Sequence, residues 1–432
     1  MPALSKYFAS KQPSAIRMAQ MEFAKRTDGI QAINVSVGNV SLPMHPAMQE
    51  RMFHLKESQT DLAEGRVQYS QTVWLEETNE AFLHVIASSG CDTKWLYCQI
   101  TDGGSQAMEL VLLGVSDAND RPIMLIDPAY TNYLSFAART SRKTISIQRT
   151  LQDDGKFTLP ETDQIEKVIQ EHNPSAIVVI PYDNPTGQLY TREDMLRIAQ
   201  LCVKYDMWII SDEAYRELHY DRSNIVSIWG ISDQDVPGIQ WKRISIETAS
   251  KVWNACGLRI GALVTDNQEF HQQAVAENTT SLCPNIIGQY IFWALAHESI
   301  EDLQKWYEAQ RSYYGLMLQK LSDDLHTSLP GVIVSSPDAS LYSVIDVRDI
   351  AKPGFDAQAF SLFCAQKWIV DLAGEKYTLL VSPMSGFYRI NAGETNPGLT
   401  QMRVAFVESP EHMALVPKLF TKLFTKYEKD GL

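Results

Sequence analysis

Between residues 95 and 215 the chain repeats one rhythm: a short apolar run, a turn, then an amphipathic stretch. Ile123-Met-Leu-Ile126, Ala176-Ile-Val-Val-Ile180 and Met207-Trp-Ile-Ile210 offer no polar face to water. Strands of that kind have to be covered on both sides, and helices over both faces of a mostly parallel sheet achieve this. The pattern predicts strands at 95–100, 123–126, 144–147, 176–180 and 207–210. It predicts helices from Gly103 to about Val115, after Tyr130, at 161–172 and at 192–205. In such sheets ligands bind beyond the carboxyl ends of the strands. Gly103-Gly104-Ser105, Asp127-Pro128-Ala-Tyr130, Asn184-Pro-Thr-Gly187 and Asp212-Glu-Ala-Tyr215 all stand at those ends.

On the amino-terminal side, 13–27 has the pattern of an amphipathic helix stopping at Asp28-Gly29, and 33–37 alternates as a strand stopping at Gly38. The stretches 45–57 and 73–88 read as helices, with Val67-Gln-Tyr69 in a loop between them. Beyond residue 284 the pattern is helical at 284–297 and 300–325. A smaller α+β unit follows, with strands near 332–336, 341–347, 378–382 and 402–407 and helices near 356–369 and 412–429. No repeat or low-complexity linker separates the two parts, so they are expected to rock together about a helix near residue 300.

The chain is long enough, at 432 residues, for more than one core. Its net charge of −14 argues against nucleic acid or anionic membrane as a partner, so an anionic ligand must meet a few local cations. Six cysteines without CxxC or metal-ligand spacing predict no metal site and suit reduced thiols of a cytoplasmic protein. No apolar run approaches the roughly 20 residues of a membrane span, and the first residues lack the apolar centre of a secretion signal.

The densest chemistry lies in 244–261. An alternating strand, Ile244-Ser-Ile-Glu-Thr248, breaks into Ser250 and Lys251, and Gly257-Leu-Arg259-Ile-Gly261 leads back to the apolar run 262–264. A lysine that forms a Schiff base needs partial desolvation to free its amine. Neighbouring hydroxyls and a fixed guanidinium suit an anchored phosphate. Gly103-Gly104-Ser105 opens a helix directly after a strand, where backbone N–H groups approach an anion; a plain glycine turn looks the same. Asp212 at a strand end calls for a cationic partner or for a helix-capping role. Asn184 reads equally as a turn former, and Tyr130 and Tyr215 as core aromatics. The lack of G-x-G-x-x-G after a strand and of a Walker lysine argues against dinucleotides and nucleoside triphosphates.

Taken in order, Tyr69, the four motifs above, Ser250-Lys251, Gly257-Leu-Arg259-Ile-Gly261 and Met402-Arg403-Val resemble the landmarks of the class I/II aminotransferases. These are pyridoxal-5′-phosphate (PLP) enzymes of fold type I, aspartate aminotransferase-like, and the resemblance runs through most of the chain. It implies an α/β large domain, 46–300, with a mostly parallel seven-stranded sheet between helices, and a smaller α+β domain built from 1–45 and 301–432. It implies that Lys251 carries PLP as an internal aldimine and moves the Cα proton on the way to a pyridoxamine phosphate form. Asp212 would pair with the ring nitrogen, Tyr215 and Asn184 with the phenolic oxygen, and Tyr130 would stack on the ring. Gly104, Ser105, Thr248 and Arg259 would hold the phosphate, joined by Tyr69 from a neighbouring subunit. Arg403 would clamp the substrate α-carboxylate, helped by Gly38 and Asn184. Amino acid and 2-oxo acid substrates, a homodimer with shared active sites, and cis peptides before Pro128 and Pro185 belong to the same implication.

The chain departs from the family pattern in three places. The lysine box reads Glu-Thr-Ala-Ser-Lys, which weakens Thr248 as a phosphate donor relative to Arg259. No arginine lies between Arg259 and Arg311, where some dicarboxylate-specific relatives carry one, so neutral or hydrophobic amino acids are favoured. The segment 384–398 is long and polar and makes Arg389 a second candidate for the carboxylate clamp. A C–S β-lyase uses the same residues and is the alternative reaction; a non-catalytic binding protein of this fold is the alternative to an enzyme.

Overall fold

The computed structural model describes every residue except Met1, Gln12, Gln59, 71–74, 221–226, Ala373, Ala392 and 431–432; the first two residues of the helix expected at 73–88 lie outside the description. Seven strands form the central sheet. Their spatial order is Tyr97–Thr101, Gly261–Thr265, Arg243–Thr248, Trp208–Asp212, Ala176–Val179, Ile123–Asp127, Thr144–Gln148. The last five run parallel, and Gly261–Thr265 is antiparallel to both its neighbours. The sheet is therefore mixed and mostly parallel. Ile123, Met124, Leu125 and Ile126 are all buried, each gaining about 1.5–3 kcal/mol by leaving water.

The helices Gly104–Val115, Asn132–Arg139, Thr162–His172 and Arg192–Lys204 alternate with these strands as predicted. The last starts where the Thr191 hydroxyl accepts from the Asp194 N–H at 3.0 Å, satisfying one orphan donor of its first turn. The helix Gln268–Asn278 was not foreseen. Only Phe270, Ala274 and Asn278 of its 11 residues are buried, which leaves little apolar periodicity to read. Ser299 caps the 29-residue helix Ile300–Ser328, whose buried positions recur at spacings of three and four from Leu303 to Leu325.

That helix leads to the smaller α+β domain. There Ile333–Val334, Tyr342–Asp346, Gln401–Ala405 and Ser382–Pro383 form an antiparallel sheet. The amino-terminal strand Gln31–Asn34 lies parallel to Glu375–Leu380, joining the two ends of the chain in a second sheet with Val370–Leu372. The strand expected at 378–382 thus divides between two sheets. The hairpin of Thr150–Leu151 and Phe157–Thr158 is too short to show a pattern. The expected helix 13–27 is confined to Ala15–Phe23, and 412–429 starts as Pro410–Met413 before Val416–Asp430. No helix among the described residues is long and apolar enough to cross a membrane.

Candidate active site

A cavity of about 360 Å³ opens beyond the carboxyl ends of the parallel strands, and Gly38, Gly104, Ser105, Tyr130, Asn184, Asp212, Tyr215, Thr248, Lys251, Arg259 and Arg403 all line it. Tyr69 does not; its side chain is 75% exposed on the loop before residue 71. Arg389 also lies elsewhere. Its backbone N–H donates to Asp127 at 2.6 Å and its guanidinium to the Thr144 hydroxyl at 2.8 Å, which commits it to the sheet edge. The peptides before Pro128 and Pro185 are cis.

Lys251 follows the strand Arg243–Thr248, and its Nζ donates to the Gly38 carbonyl. Asp212, at the end of Trp208–Asp212, accepts from the Tyr133 hydroxyl at 2.6 Å and from the Ala214 N–H at 3.1 Å. Protein encloses this carboxyl except where it faces the cavity, and burial pushes its pKa up against the pull of those two donors. Among the described residues, the groups that act most strongly on it are Tyr133, Ala214, Glu213 and Asp183, none of them cationic. A buried carboxylate without a cationic partner is costly, so the site is suited to a ligand that brings a positive charge.

At the other end, Gly103 adopts a φ of +79° and heads the helix Gly104–Val115, which no side chain caps. Its first N–H groups are thus left for an anion. A Cβ on Gly103 would lie 2.9 Å from the guanidinium carbon of Arg259, and one on Gly261 would lie 2.5 Å from the Gly104 nitrogen. The two glycines let the helix start, the guanidinium and the strand Gly261–Thr265 close on one point. Among the described residues, Arg259 itself donates only to carbonyls, Cys256 O at 3.0 Å and Asp102 O at 3.4 Å. Thr248 donates to Ser250 at 2.8 Å and to Ile260 O at 3.2 Å within its own loop.

The second guanidinium is buried. Arg403 donates to Asn184 Oδ1 at 2.9 Å and to Ser36 O at 2.8 Å, stacks over Tyr342 at 4.5 Å, and leaves its Nε without a partner. Asn184 in turn donates to the Tyr215 hydroxyl at 3.2 Å, which meets the Tyr342 hydroxyl at 2.9 Å. Tyr130 packs edge-on against Tyr133 and accepts from Asn132 at 2.7 Å; burial pushes its hydroxyl up to about 12.

Tyr133, Tyr342, Phe387 and the amino-terminal Ile16 and Arg17 also line the cavity, and none was singled out from sequence. Tyr133 stands one helical turn after Tyr130, which was a usable signal; Tyr342 merely opens an apolar strand.

An amine, a buried carboxylate with no cation among its strongest neighbours and two separated guanidinium groups around one small cavity are a donor set whose chemistry suits PLP. With this sheet they define a fold type I PLP-dependent transferase. The profile described as aminotransferase class I and II matches residues 31–405, and the chain belongs to that family. Over 272 residues it is 24% identical to the aspartate aminotransferase of Musicola paradisiaca (strain Ech703), covering 61% of this chain and 62% of that one, less than two thirds of the relative. It is 21% identical over 422 residues to the aspartate aminotransferase of Pyrococcus horikoshii, covering 94% and 95%. The solved N-succinyldiaminopimelate aminotransferase from Mycobacterium tuberculosis shares the fold, with a TM-score of 0.80 over 98% of this chain and 100% of that one at 19% identity. The protein is a PLP-dependent aminotransferase, transferring amino groups between amino acids and 2-oxo acids.

Proposed function

We propose that the amino donor is an L-amino acid with a neutral or apolar side chain and that the eleven cavity residues predicted from sequence divide the work as follows. PLP, when bound, supplies the electron sink that makes a Cα proton removable near neutral pH. Lys251 would hold its aldehyde carbon, Asp212 its ring nitrogen, Tyr215 and Asn184 its phenolic oxygen and Tyr130 its ring face. Gly104, Ser105, Thr248 and Arg259 would hold its phosphate. Once the substrate amine has displaced it, Lys251 Nζ would take the proton from Cα and deliver it to the carbon it had held, a positioned general base being worth about 10²–10⁴-fold. Tyr133, by donating to Asp212, opposes the rise that burial imposes on its pKa. Arg403, braced from behind by Asn184 and Ser36, grips the substrate α-carboxylate, and the Gly38 backbone borders the same subsite.

One observation carries this reading: Lys251, Asp212, Arg259 and Arg403 line the same cavity. The choice of donor rests on its remaining wall, where Ile16, Val37, Tyr342 and Phe387 are apolar or aromatic. We propose further that the enzyme is a cytoplasmic homodimer whose partner subunit supplies a second Tyr69, and that the domains divide at 46–300 against 1–45 with 301–432. The test is a half-reaction screen. The PLP-loaded protein is mixed with each common amino acid, and its visible absorbance must be lost with at least one neutral donor and restored by a 2-oxo acid. Loss with none of them refutes the roles given to these residues. Release of pyruvate, ammonia and thiol from cystathionine, without reversible bleaching by any donor, would replace transamination by β-elimination.

A further inference from the structure

Behind the strands that carry the cavity residues lies a second set of charges that transamination does not use. Arg216 is buried and grips Glu247 with two donors, at 2.6 and 3.3 Å. Its third nitrogen donates to the Ser227 hydroxyl at 2.9 Å, and Glu213 stands 3.5 Å away. Glu213 accepts from Ser211 at 2.9 Å, from Ser227 at 3.1 Å and from the Ile228 N–H at 2.9 Å; Glu247 also accepts from Ser245 at 2.7 Å. All three charged residues are at most 3% exposed. An ionic cluster this deep is a poor source of stability, because desolvation consumes most of its attraction.

Its members are the chain neighbours of cavity residues. Glu213 follows Asp212, Arg216 follows Tyr215, and Glu247 precedes Thr248. Side chains alternate across a strand, so Ile246 and Thr248 face the cavity while Ser245 and Glu247 face the cluster. We propose that Arg216 is a positioning residue: by gripping Glu247 and Ser227 while standing beside Glu213 it locks three separate segments together from behind and so fixes Asp212, Tyr215 and Thr248 for the cofactor. A guanidinium suits this role because its planar fork holds two partners in fixed directions, which an ammonium cannot do. The proposal rests on those three residues binding PLP.

The experiment measures PLP affinity by tryptophan fluorescence of the cofactor-free protein, and its Tm, for wild type, Asp212→Asn and Arg216→Lys. Arg216→Lys keeps the charge and loses the fork. It is expected to bind PLP at least about tenfold more weakly while its cofactor-free Tm stays within a few degrees of wild type. Should Arg216→Lys fail to fold, Glu247→Gln, which keeps the shape and removes the charge at the far end of the fork, decides by the same two readouts. Unchanged affinity, with or without a lower Tm, overturns the positioning role. A wild type that does not bind PLP, or an Asp212→Asn protein that binds as well as wild type, instead overturns the reading of the cavity. Weakened Asp212→Asn with unaltered Arg216→Lys overturns only the role of Arg216.

Discussion

Replacing Gly38 by alanine tests how tightly the cavity is built, because the cost can be worked out atom by atom. Gly38 is outside the left-handed region, so an added methyl strains no backbone and the whole effect is steric. Its Cβ would overlap the Tyr342 hydroxyl, touch the Tyr342 Cζ at 3.1 Å and stand 3.3 Å from Lys251 Nζ. The hydroxyl must retreat by about 1 Å to restore van der Waals contact. Tyr342 is buried, packs edge-on against Tyr215 at 5.7 Å and lies under Arg403, so the retreat cannot be taken up by the ring alone. The 2.9 Å bond between the Tyr215 and Tyr342 hydroxyls is lost, and a buried hydroxyl left unpaired costs about 1–3 kcal/mol. At roughly 1.4 kcal/mol per decade, kcat/KM falls about 10- to 100-fold. Tyr342→Phe removes the oxygen that clashes and forfeits the same bond. The double variant Gly38→Ala/Tyr342→Phe is therefore expected to be no slower than Gly38→Ala alone, a coupling of about 1 kcal/mol or more. Steady-state kinetics on the four proteins decides the matter. Wild-type activity in Gly38→Ala, or losses that simply add in the double variant, would refute the argument.

Three further outcomes follow from the same geometry. Arg403→Lys loses two-pronged recognition and should raise KM for both amino acid and 2-oxo acid by about tenfold or more with PLP affinity unaltered; equal loss in both would place Arg403 at the cofactor instead. Arg17 lines the cavity, and its guanidinium donates to Gln20 Oε1 at 3.4 Å. Arg17→Met should leave kcat/KM for neutral donors within about threefold, whereas a selective loss for aspartate or glutamate would show that acidic side chains are read there. His45 accepts from the Ala47 N–H at the start of Pro46–Phe53 and packs on Trp253 and Trp306, and burial depresses its pKa to about 4. The unfolded chain therefore takes up this proton first as pH drops below about 6.5, and stability is lost progressively toward pH 4. For this buried ring that loss reaches about 2 kcal/mol by pH 4.5. Urea titrations of wild type and His45→Asn should converge by that amount between pH 7 and pH 4.5; parallel curves would show that His45 does not titrate in this range.

What sequence made legible here follows from what each residue contacts. The apolar strands announced themselves because burial on both faces forbids polar side chains. Their carboxyl ends located the site, because the fold leaves a ligand nowhere else to enter the sheet. Lys251 and Asp212 stood out because charge at the end of an apolar strand needs a reason, Arg259 because it stands between two glycines close after that lysine, and Arg403 only through the order of the family's landmarks. The antiparallel direction of Gly261–Thr265 left no mark, since a strand buried between two neighbours is apolar whichever way it runs. The parallel pairing of Gln31–Asn34 with Glu375–Leu380 is set by tertiary packing and has no local signature.

Tyr133 and Tyr342 were missed for a different reason. A tyrosine that places its hydroxyl 2.6 Å from a buried carboxylate has the same sequence appearance as one that fills a core. The cluster behind the sheet was visible in principle. Glu247 interrupts Ile244-Ser-Ile and Glu213 directly follows Asp212, positions where a buried carboxylate must find donors. Sequence alone could not name Arg216 as that donor, because the residues it joins lie on three segments that meet only once the sheet has formed. Recognition of a lone charge in an apolar strand thus carries two meanings in this fold, separated by a single residue of strand register: toward the cavity it binds ligand, and away from it, it holds the binding group in place.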